Sequence, residues 1–145
     1  MIYLDTSYLV RLYFEGPGFE SVRALASTDH VVCAWNGQAE TMAAFHRKLR
    51  EKAIRPIHFR AMMDQFATDQ ESGAVIWLPA GPEILARIAQ VYANLPASVY
   101  LRAADALHLA TAKSHGHNLV YSNDSHLLAA APYFQLAAKN VIGEG

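Results

Sequence analysis

The chain has 145 residues, of which 52% are hydrophobic and 17% are charged. This size and composition predict one compact domain over residues 1–145 and exclude a disordered polyelectrolyte. Twelve basic and thirteen acidic residues give a formal net charge of -1, so any contact with nucleic acid depends on a local basic patch rather than on a global positive field.

Short apolar runs rich in β-branched and aromatic residues alternate along the chain with longer helical patterns. This alternation is typical of βαβ units around a mainly parallel sheet. Four strands and a weaker fifth one are predicted, over residues 1–5, 30–35, 74–79, 118–122 and 140–142. The sequence therefore predicts an α/β fold.

Helices are predicted between these strands from capping residues, prolines and glycines. Thr6 or Ser7 is expected to cap the first helix, and Pro17 suits the first turn of the second. Five more helices are predicted, over about residues 36–52, 56–72, 82–95, 101–115 and 124–131. No repeat and no linker rich in Gly, Ser or Pro divides the chain.

Cys33 is the only cysteine of the chain, which excludes an intramolecular disulfide and favours a reducing compartment. Residues 1–5 lack the basic flank and the apolar core of a signal peptide. No run of about 18 apolar residues, the length that a membrane span needs, occurs in the sequence. We therefore expect a cytoplasmic protein without a membrane span.

Two aspartates follow predicted strands and precede predicted helices. Asp5 comes directly after the apolar residues 2–4, and Asp124 follows residues 119–123. Open parallel sheets bind ligands at the carboxyl ends of their strands, so this position suits a functional site. Helix capping, which aspartate performs well, explains either residue equally when it is taken singly.

Glu40 lies early in the helix that follows the second strand. This position predicts that Glu40 shares one edge of the sheet with Asp5. No lysine or arginine lies three or four positions away along the helix, so the usual intrahelical ion pair does not explain this carboxylate. A favourable interaction with the helix dipole remains an alternative.

Asp105 lies in a stretch that is apolar on nearly every face of a helix and is therefore expected to be buried. Asp105, His108 and Thr111 are spaced three apart and form a narrow polar stripe. A buried carboxylate needs a partner, and a structural ion pair with Arg102 is the simplest one.

If the carboxylates of Asp5, Glu40, Asp105 and Asp124 converge on one site, something must offset their mutual repulsion. Two carboxylates about 4 Å apart repel by roughly 4 kcal/mol at an effective dielectric near 20. Either some carboxyls retain protons at raised pKa values, or a hard divalent cation occupies the cluster. Oxygen ligands suit Mg²⁺ or Mn²⁺, which would hold phosphate oxygens and activate water. No histidine or cysteine is arranged for tetrahedral zinc.

Four segments together resemble the PIN-domain ribonucleases, and most of all the VapC-type toxins of bacterial type II toxin–antitoxin pairs. The segments read LDTSYLV, AETMAAFHRK, RAADALHLATA and SNDSHLLAAA, at residues 4–10, 39–48, 102–112 and 122–131. Their order and spacing agree with the family over nearly the whole chain, and the third segment is the most specific.

The resemblance implies a three-layer α/β/α sandwich with a mainly parallel sheet and Mg²⁺- or Mn²⁺-dependent endonucleolytic cleavage of RNA. By position, it implies that Asp5, Asp105 and Asp124 are metal ligands and that Glu40 binds metal or orients the attacking water. It further implies an antitoxin partner and a homodimer.

Three hydroxyl residues of the same motifs, Thr6, Ser7 and Ser122, could orient the carboxylates or a bound water. Helix capping alone would also explain Thr6 or Ser7. They are treated as supporting residues of the predicted site.

Half of the basic residues fall within fourteen positions that begin seven residues after Glu40. This patch could bind the phosphate backbone of RNA, or it could be an ordinary solvated helix face. The candidate RNA contacts are Arg47, Lys48, Arg50 and Arg102.

Two other classes of protein compete with a ribonuclease. The first is a catalytically inactive PIN-like module that binds RNA or protein, which the presence of all four acids disfavours. The second is a phosphotransfer enzyme with Asp5 as its nucleophile. A haloacid-dehalogenase-like phosphatase would have a second aspartate two positions later, where this chain has Ser7.

Overall fold

The computed structural model describes residues 1–143. Five strands form one parallel sheet: β1 (Ile2–Leu4), β2 (Val31–Ala34), β3 (Val75–Leu78), β4 (Leu119–Tyr121) and β5 (Ala137–Lys139). Their spatial order is β3-β2-β1-β4-β5, and all four pairings are parallel. The α/β fold and the first four predicted strands are confirmed.

The prediction of a last strand over residues 140–142 was wrong, because β5 ends at Lys139. Ala137 and Ala138 have low strand propensity, but their backbone extends the sheet beside β4, where Ala138 pairs with Val120. The side chain of Asn140 instead accepts a hydrogen bond from the hydroxyl of Tyr8, at 2.8 Å. Pairing with a neighbouring strand, rather than local propensity, determines this edge strand.

Seven α-helices lie within the described residues: α1 (Thr6–Leu9), α2 (Phe19–Ala26), α3 (Gly37–Arg50), α4 (Pro56–Ser72), α5 (Pro82–Asn94), α6 (Ala103–Ser114) and α7 (Ser125–Ala130). Two short 3₁₀ helices follow α1 and α7, at Val10–Leu12 and Ala131–Phe134. All seven predicted helices are therefore present.

Two predicted helix starts need correction. The cap of α1 is Asp5 rather than Thr6 or Ser7, because the Asp5 side chain accepts the N–H of Tyr8. The helix α2 begins two residues after Pro17, since Gly18 has a left-handed backbone with φ of 79° and turns the chain into it.

The sheet lies between two helical layers because alternate strand residues face opposite sides. On one face, Tyr3 and Val32 pack in one core with the buried residues of α5, α6 and α7. On the other face, Leu4 and Val31 pack with α1 and α2. On this face too, Phe45 of α3 and Phe66 of α4 pack together with Trp77 of β3. This arrangement confirms the predicted α/β/α sandwich.

The strand order changes direction beside β1, since β2 and β3 lie on one side of it and β4 and β5 on the other. The crevice at the carboxyl ends of β1 and β4 is therefore a topological switch point, where open α/β sheets bind their ligands. No helix in residues 1–143 is both long enough and apolar enough to cross a bilayer.

Candidate active site at the carboxyl end of the sheet

The four acids singled out in the sequence line one cavity of about 560 Å³ at the switch point. Asp5 follows β1, Glu40 is on α3, Asp105 is on α6 and Asp124 follows β4. Three arginines line the same cavity: Arg47, Arg50 and Arg102. The fold thus brings the predicted carboxylates together and places guanidinium groups among them.

Asp5 is the most enclosed of the four acids, with 4% of the residue exposed. Its Oδ1 accepts hydrogen bonds from the hydroxyl of Ser7 at 2.6 Å and from the N–H of Tyr8 at 3.2 Å, and its Oδ2 accepts from the hydroxyl of Ser122 at 2.5 Å. Burial raises the pKa of Asp5, and these hydrogen bonds offset part of the rise.

Ser122 connects the two strands that form the crevice. Besides donating to Asp5, its Oγ accepts the backbone N–H of Asp124 at 2.9 Å, and the residue is completely buried. Ser7 makes a second link, because its Oγ accepts the N–H of Asn123 at 3.0 Å. Both predicted supporting serines therefore tie the loop after β1 to the loop after β4.

Asp124 caps α7, because its Oδ1 atom accepts hydrogen bonds from the N–H groups of His126 and Leu127. Its other oxygen, Oδ2, accepts a hydrogen bond from Arg102. Partial burial acts to raise the pKa of Asp124, but the His126 N–H and the Arg102 guanidinium stabilise the carboxylate more, so the pKa is lowered. The capping interpretation of Asp124 and its place in the cavity are therefore both correct, since its two oxygens serve different partners.

Asp105 is buried, as its apolar surroundings predicted, with 5% of the residue exposed. Nε of Arg102 lies 2.9 Å from its Oδ2, and a second guanidinium nitrogen lies 3.3 Å from its Oδ1. The same arginine also pairs with Asp124. The Arg102 ion pair considered from the sequence is thus present and joins two of the acids, which raises the pKa of the guanidinium.

Glu40 reaches the cavity because α3 begins very close to the sheet. A Cβ atom on Gly37 would lie 2.5 Å from Sγ of Cys33, so glycine permits this approach. The carboxylate accepts hydrogen bonds from Thr6 at 3.1 Å and from Asn36. Partial burial acts to raise the pKa of Glu40, but its hydrogen bonds, first among them that from His108, lower it.

Two residues that contact this cluster were not predicted as site residues from the sequence. Nε2 of His108 lies 3.1 Å from Oε1 of Glu40, and the side chain of Asn36 binds Glu40 instead of capping α3. For His108 a signal was present, because it follows Asp105 by one helical turn on the buried stripe. For Asn36 the four-residue spacing to Glu40 was the signal.

The predicted RNA contacts occupy different positions. Arg47 and Arg50 line the acidic cavity, whereas Lys48 lines an adjoining cavity of about 300 Å³ together with Arg11 and Arg47. Arg102 lies within the acid cluster itself. A basic strip of Arg50, Arg47, Lys48 and Arg11 therefore runs from the acidic cavity along α3 to the 3₁₀ helix that follows α1.

The donor set of this cavity fits a hard divalent cation, because carboxylate and hydroxyl oxygens line it. Within residues 1–143, however, no three acidic, histidine or cysteine side chains are grouped closely enough to form a complete metal cage. Arg102 provides the physical reason, since its guanidinium lies between Asp105 and Asp124 and neutralises both. A cation held by Asp105 and Asp124 would therefore compete with the Arg102 guanidinium for their oxygens.

Comparison with known proteins identifies the family. The family model of the PIN domain matches residues 2–132. No curated protein matches the chain in sequence. The FitAcB structure from Neisseria gonorrhoeae is similar to this chain with a TM-score of 0.73 and 20% identity, covering 95% of this chain and 96% of that one.

Two further solved structures share the fold. VapBC2 from Rickettsia felis, bound to a DNA fragment from its promoter, has a TM-score of 0.67 at 14% identity and covers 97% of this chain and 98% of its own. VapC20 from Mycobacterium tuberculosis, a sarcin-ricin loop cleaving toxin, has a TM-score of 0.66 at 18% identity, with coverages of 90% and 95%. The family match extends over most of the sequence, and the chain belongs to the PIN domain family.

Proposed function

We propose that this PIN domain is a Mg²⁺- or Mn²⁺-dependent endoribonuclease and the toxin component of a type II toxin–antitoxin pair. The observation that carries the proposal is the convergence of Asp5, Glu40, Asp105 and Asp124 on one cavity at the switch point of the sheet. The similarity to VapC20, which cleaves the sarcin-ricin loop, supports RNA as the substrate class.

In this proposal Asp5, Asp105 and Asp124 hold the cation with carboxylate oxygens. When bound, the divalent ion would supply positive charge to the scissile phosphate and lower the pKa of the attacking water. Glu40 orients that water as a hydrogen-bond acceptor, since its hydrogen bonds lower its pKa and keep the carboxylate ionised at neutral pH. Arg47 and Arg50, at the rim of the cavity, hold neighbouring phosphates of the RNA backbone.

The proposed partners follow from the same family likeness. The similarity to VapBC2 and FitAcB supports an antitoxin as the partner protein. A homodimer stays a prediction from the sequence resemblance.

The test measures cleavage of total RNA by the purified wild-type chain, first with Mn²⁺ or Mg²⁺ and then with excess chelator. Two variants, each lacking one acid of the cavity, are assayed with Mn²⁺ or Mg²⁺. Asp5→Asn and Asp105→Asn are each expected to lower the cleavage rate at least about 100-fold, because a preorganised charge stabilises a transition state on this scale. Their circular dichroism spectra are expected to stay native. Asp64→Asn is the matched control, because Asp64 is an exposed acid on α4 outside the cavity. Full activity of the two site variants, or in chelator, would refute the assignment.

One observation favours the alternative, a PIN-like module that binds RNA or protein without cleaving it. Arg102 already neutralises Asp105 and Asp124, so the cluster is partly compensated without a cation. RNA binding by the wild-type chain with no cleavage under Mg²⁺, Mn²⁺, Co²⁺ or Ca²⁺ would support this alternative.

A further inference from the structure

His108 connects the acid cluster to the interior of the sheet. It lies on α6 and is 2% exposed. Its Nε2 atom lies 3.1 Å from Oε1 of Glu40, and its Nδ1 atom lies 2.8 Å from the hydroxyl oxygen of Tyr3, which is 1% exposed on β1. Both ring nitrogens are therefore engaged by other side chains of the protein.

The Tyr3 hydroxyl is itself held by the backbone of β2. The N–H of Ala34 donates to the Tyr3 hydroxyl oxygen at 3.1 Å. The ionised Glu40 carboxylate can only accept, so Nε2 of His108 carries a proton and donates to it, while Nδ1 shares a hydrogen bond with the Tyr3 hydroxyl. A chain of three hydrogen bonds thus connects the Ala34 N–H to the Glu40 carboxylate.

Glu40 depends on such fixed donors. Its side chain is 28% exposed and projects from α3 into an open cavity, so without partners it would sample several rotamers. Two other side chains donate hydrogen bonds to Glu40. Asn36 directly precedes α3, the helix that carries Glu40, and Thr6 is half-buried at the start of α1. His108 is the donor that ties Glu40 to the buried sheet.

We propose that His108 and Tyr3 are positioning residues that hold the Glu40 carboxylate in place for the cleavage step. This inference rests on the proposed ribonuclease function. It predicts that loss of the hydrogen-bond chain lowers kcat and leaves KM for RNA nearly unchanged, because neither residue belongs to the basic strip.

The first experiment compares two replacements of His108. His108→Leu removes the donor to Glu40 and is expected to lower kcat about 10- to 100-fold, the range found when a hydrogen-bond partner of a metal ligand is removed. His108→Gln offers an amide N–H to Glu40 and an amide oxygen to Tyr3, and is expected to recover most of the rate. Equal losses in both variants would overturn the positioning role.

Tyr3→Phe is the second variant, and it keeps the aromatic packing while removing only the hydroxyl. It is expected to lower kcat about 10-fold with KM within twofold of wild type. Because the variant also leaves the Ala34 N–H unpaired, Val22→Ala on α2 serves as a stability control with no connection to the cavity. A Val22→Ala chain with the same loss of Tm and the same loss of kcat would contradict the proposal.

A double-mutant cycle asks whether Tyr3 acts through Glu40. In a Glu40→Gln background, Tyr3→Phe is expected to cause no further loss of rate, because the carboxylate it positions is already absent. An undiminished tenfold loss in that background would show that Tyr3 acts elsewhere.

A measurement without RNA or metal separates this inference from the proposed function. Nitrogen-15 NMR of the histidine rings is expected to show a proton on Nε2 of His108, with an Nε2 resonance that shifts in Glu40→Gln and stays in Asp64→Asn. An Nε2 atom without a proton, or no response to Glu40→Gln, would overturn the inference even in an active ribonuclease. A native NMR result in a chain that cleaves no RNA would instead refute the proposed function.

Discussion

The guanidinium of Arg102 and the carboxylate of Asp105 form a two-point ion pair, with nitrogen–oxygen distances of 2.9 and 3.3 Å. Arg102 extends this pairing to Asp124, so one cation bridges two acids that come from different elements. Since Arg102 is 42% exposed in its side chain, it can move aside at modest cost. A divalent cation held by Asp105 and Asp124 would have to compete with this guanidinium.

Replacing Arg102 by glutamine is expected to make the chain less stable without metal and more responsive to metal. The loss of both ion pairs, one of which leaves the buried Asp105 carboxylate without its partner, lowers the free energy of unfolding by about 1–3 kcal/mol. Asp105 and Asp124 then repel each other without a compensating charge, so Mn²⁺ binding removes more repulsion than in the wild type. The rise in Tm on addition of Mn²⁺ is therefore expected to be larger in the variant. Thermal melts with and without millimolar Mn²⁺ measure both effects.

The control for this prediction is Arg60→Gln, an exposed arginine on α4. It is expected to leave both Tm values unchanged. A wild-type chain whose Tm does not rise in millimolar Mg²⁺ or Mn²⁺ would count against a carboxylate metal site altogether.

Ser122→Ala is expected to weaken both the fold and the site. The change leaves the Asp124 N–H without its acceptor and removes a hydrogen bond from buried Asp5, which costs about 1–3 kcal/mol of unfolding free energy. Denaturant titration measures this loss, and cleavage is expected to fall in parallel because Asp5 is no longer held at both oxygens. Ser122→Thr keeps the hydroxyl and is expected to retain activity; an inactive Thr variant would show that the hydroxyl is not what matters.

The basic strip predicts how salt affects RNA binding. Lys48→Gln and Arg47→Gln, made in the Asp5→Asn background to prevent cleavage, are each expected to weaken RNA binding. Each is also expected to reduce the slope of log affinity against log salt by about 0.7 for every phosphate that the variant no longer neutralises. Binding isotherms between low and physiological salt give the slope. Arg60→Gln, outside both cavities, is the matched charge control, and an equal effect in that variant would assign the slope to net charge alone.

Gly37→Ala tests how closely α3 must approach the sheet. The added Cβ would lie 2.5 Å from Sγ of Cys33 and 3.2 Å from the ring of Trp77, so α3 must shift and carry Glu40 with it. We expect a stability loss of about 1–3 kcal/mol together with a reduced cleavage rate. In a Cys33→Ala background both losses are expected to shrink, and losses that stay the same there would exclude the steric explanation.

Local patterns in the sequence were sufficient to predict the α/β order, four of the five strands and all seven helices. Proline, glycine and apolar periodicity act over a few residues, so they report elements such as α4 and α5 directly. The same patterns placed Asp5 and Asp124 at strand ends and Asp105 in a buried helix. The metal-binding and catalytic roles of these acids stay predictions.

Contacts between distant residues were decided by the tertiary structure. Ser122 binds Asp5 across 117 positions of the chain, and His108 binds Glu40 across 68. Likewise β5 exists because β4 offers it an open edge, despite its weak local propensity. Hydrogen bonds and ion pairs depend on distances of a few ångströms between side chains, and only the packing of the two helical layers on the sheet sets those distances.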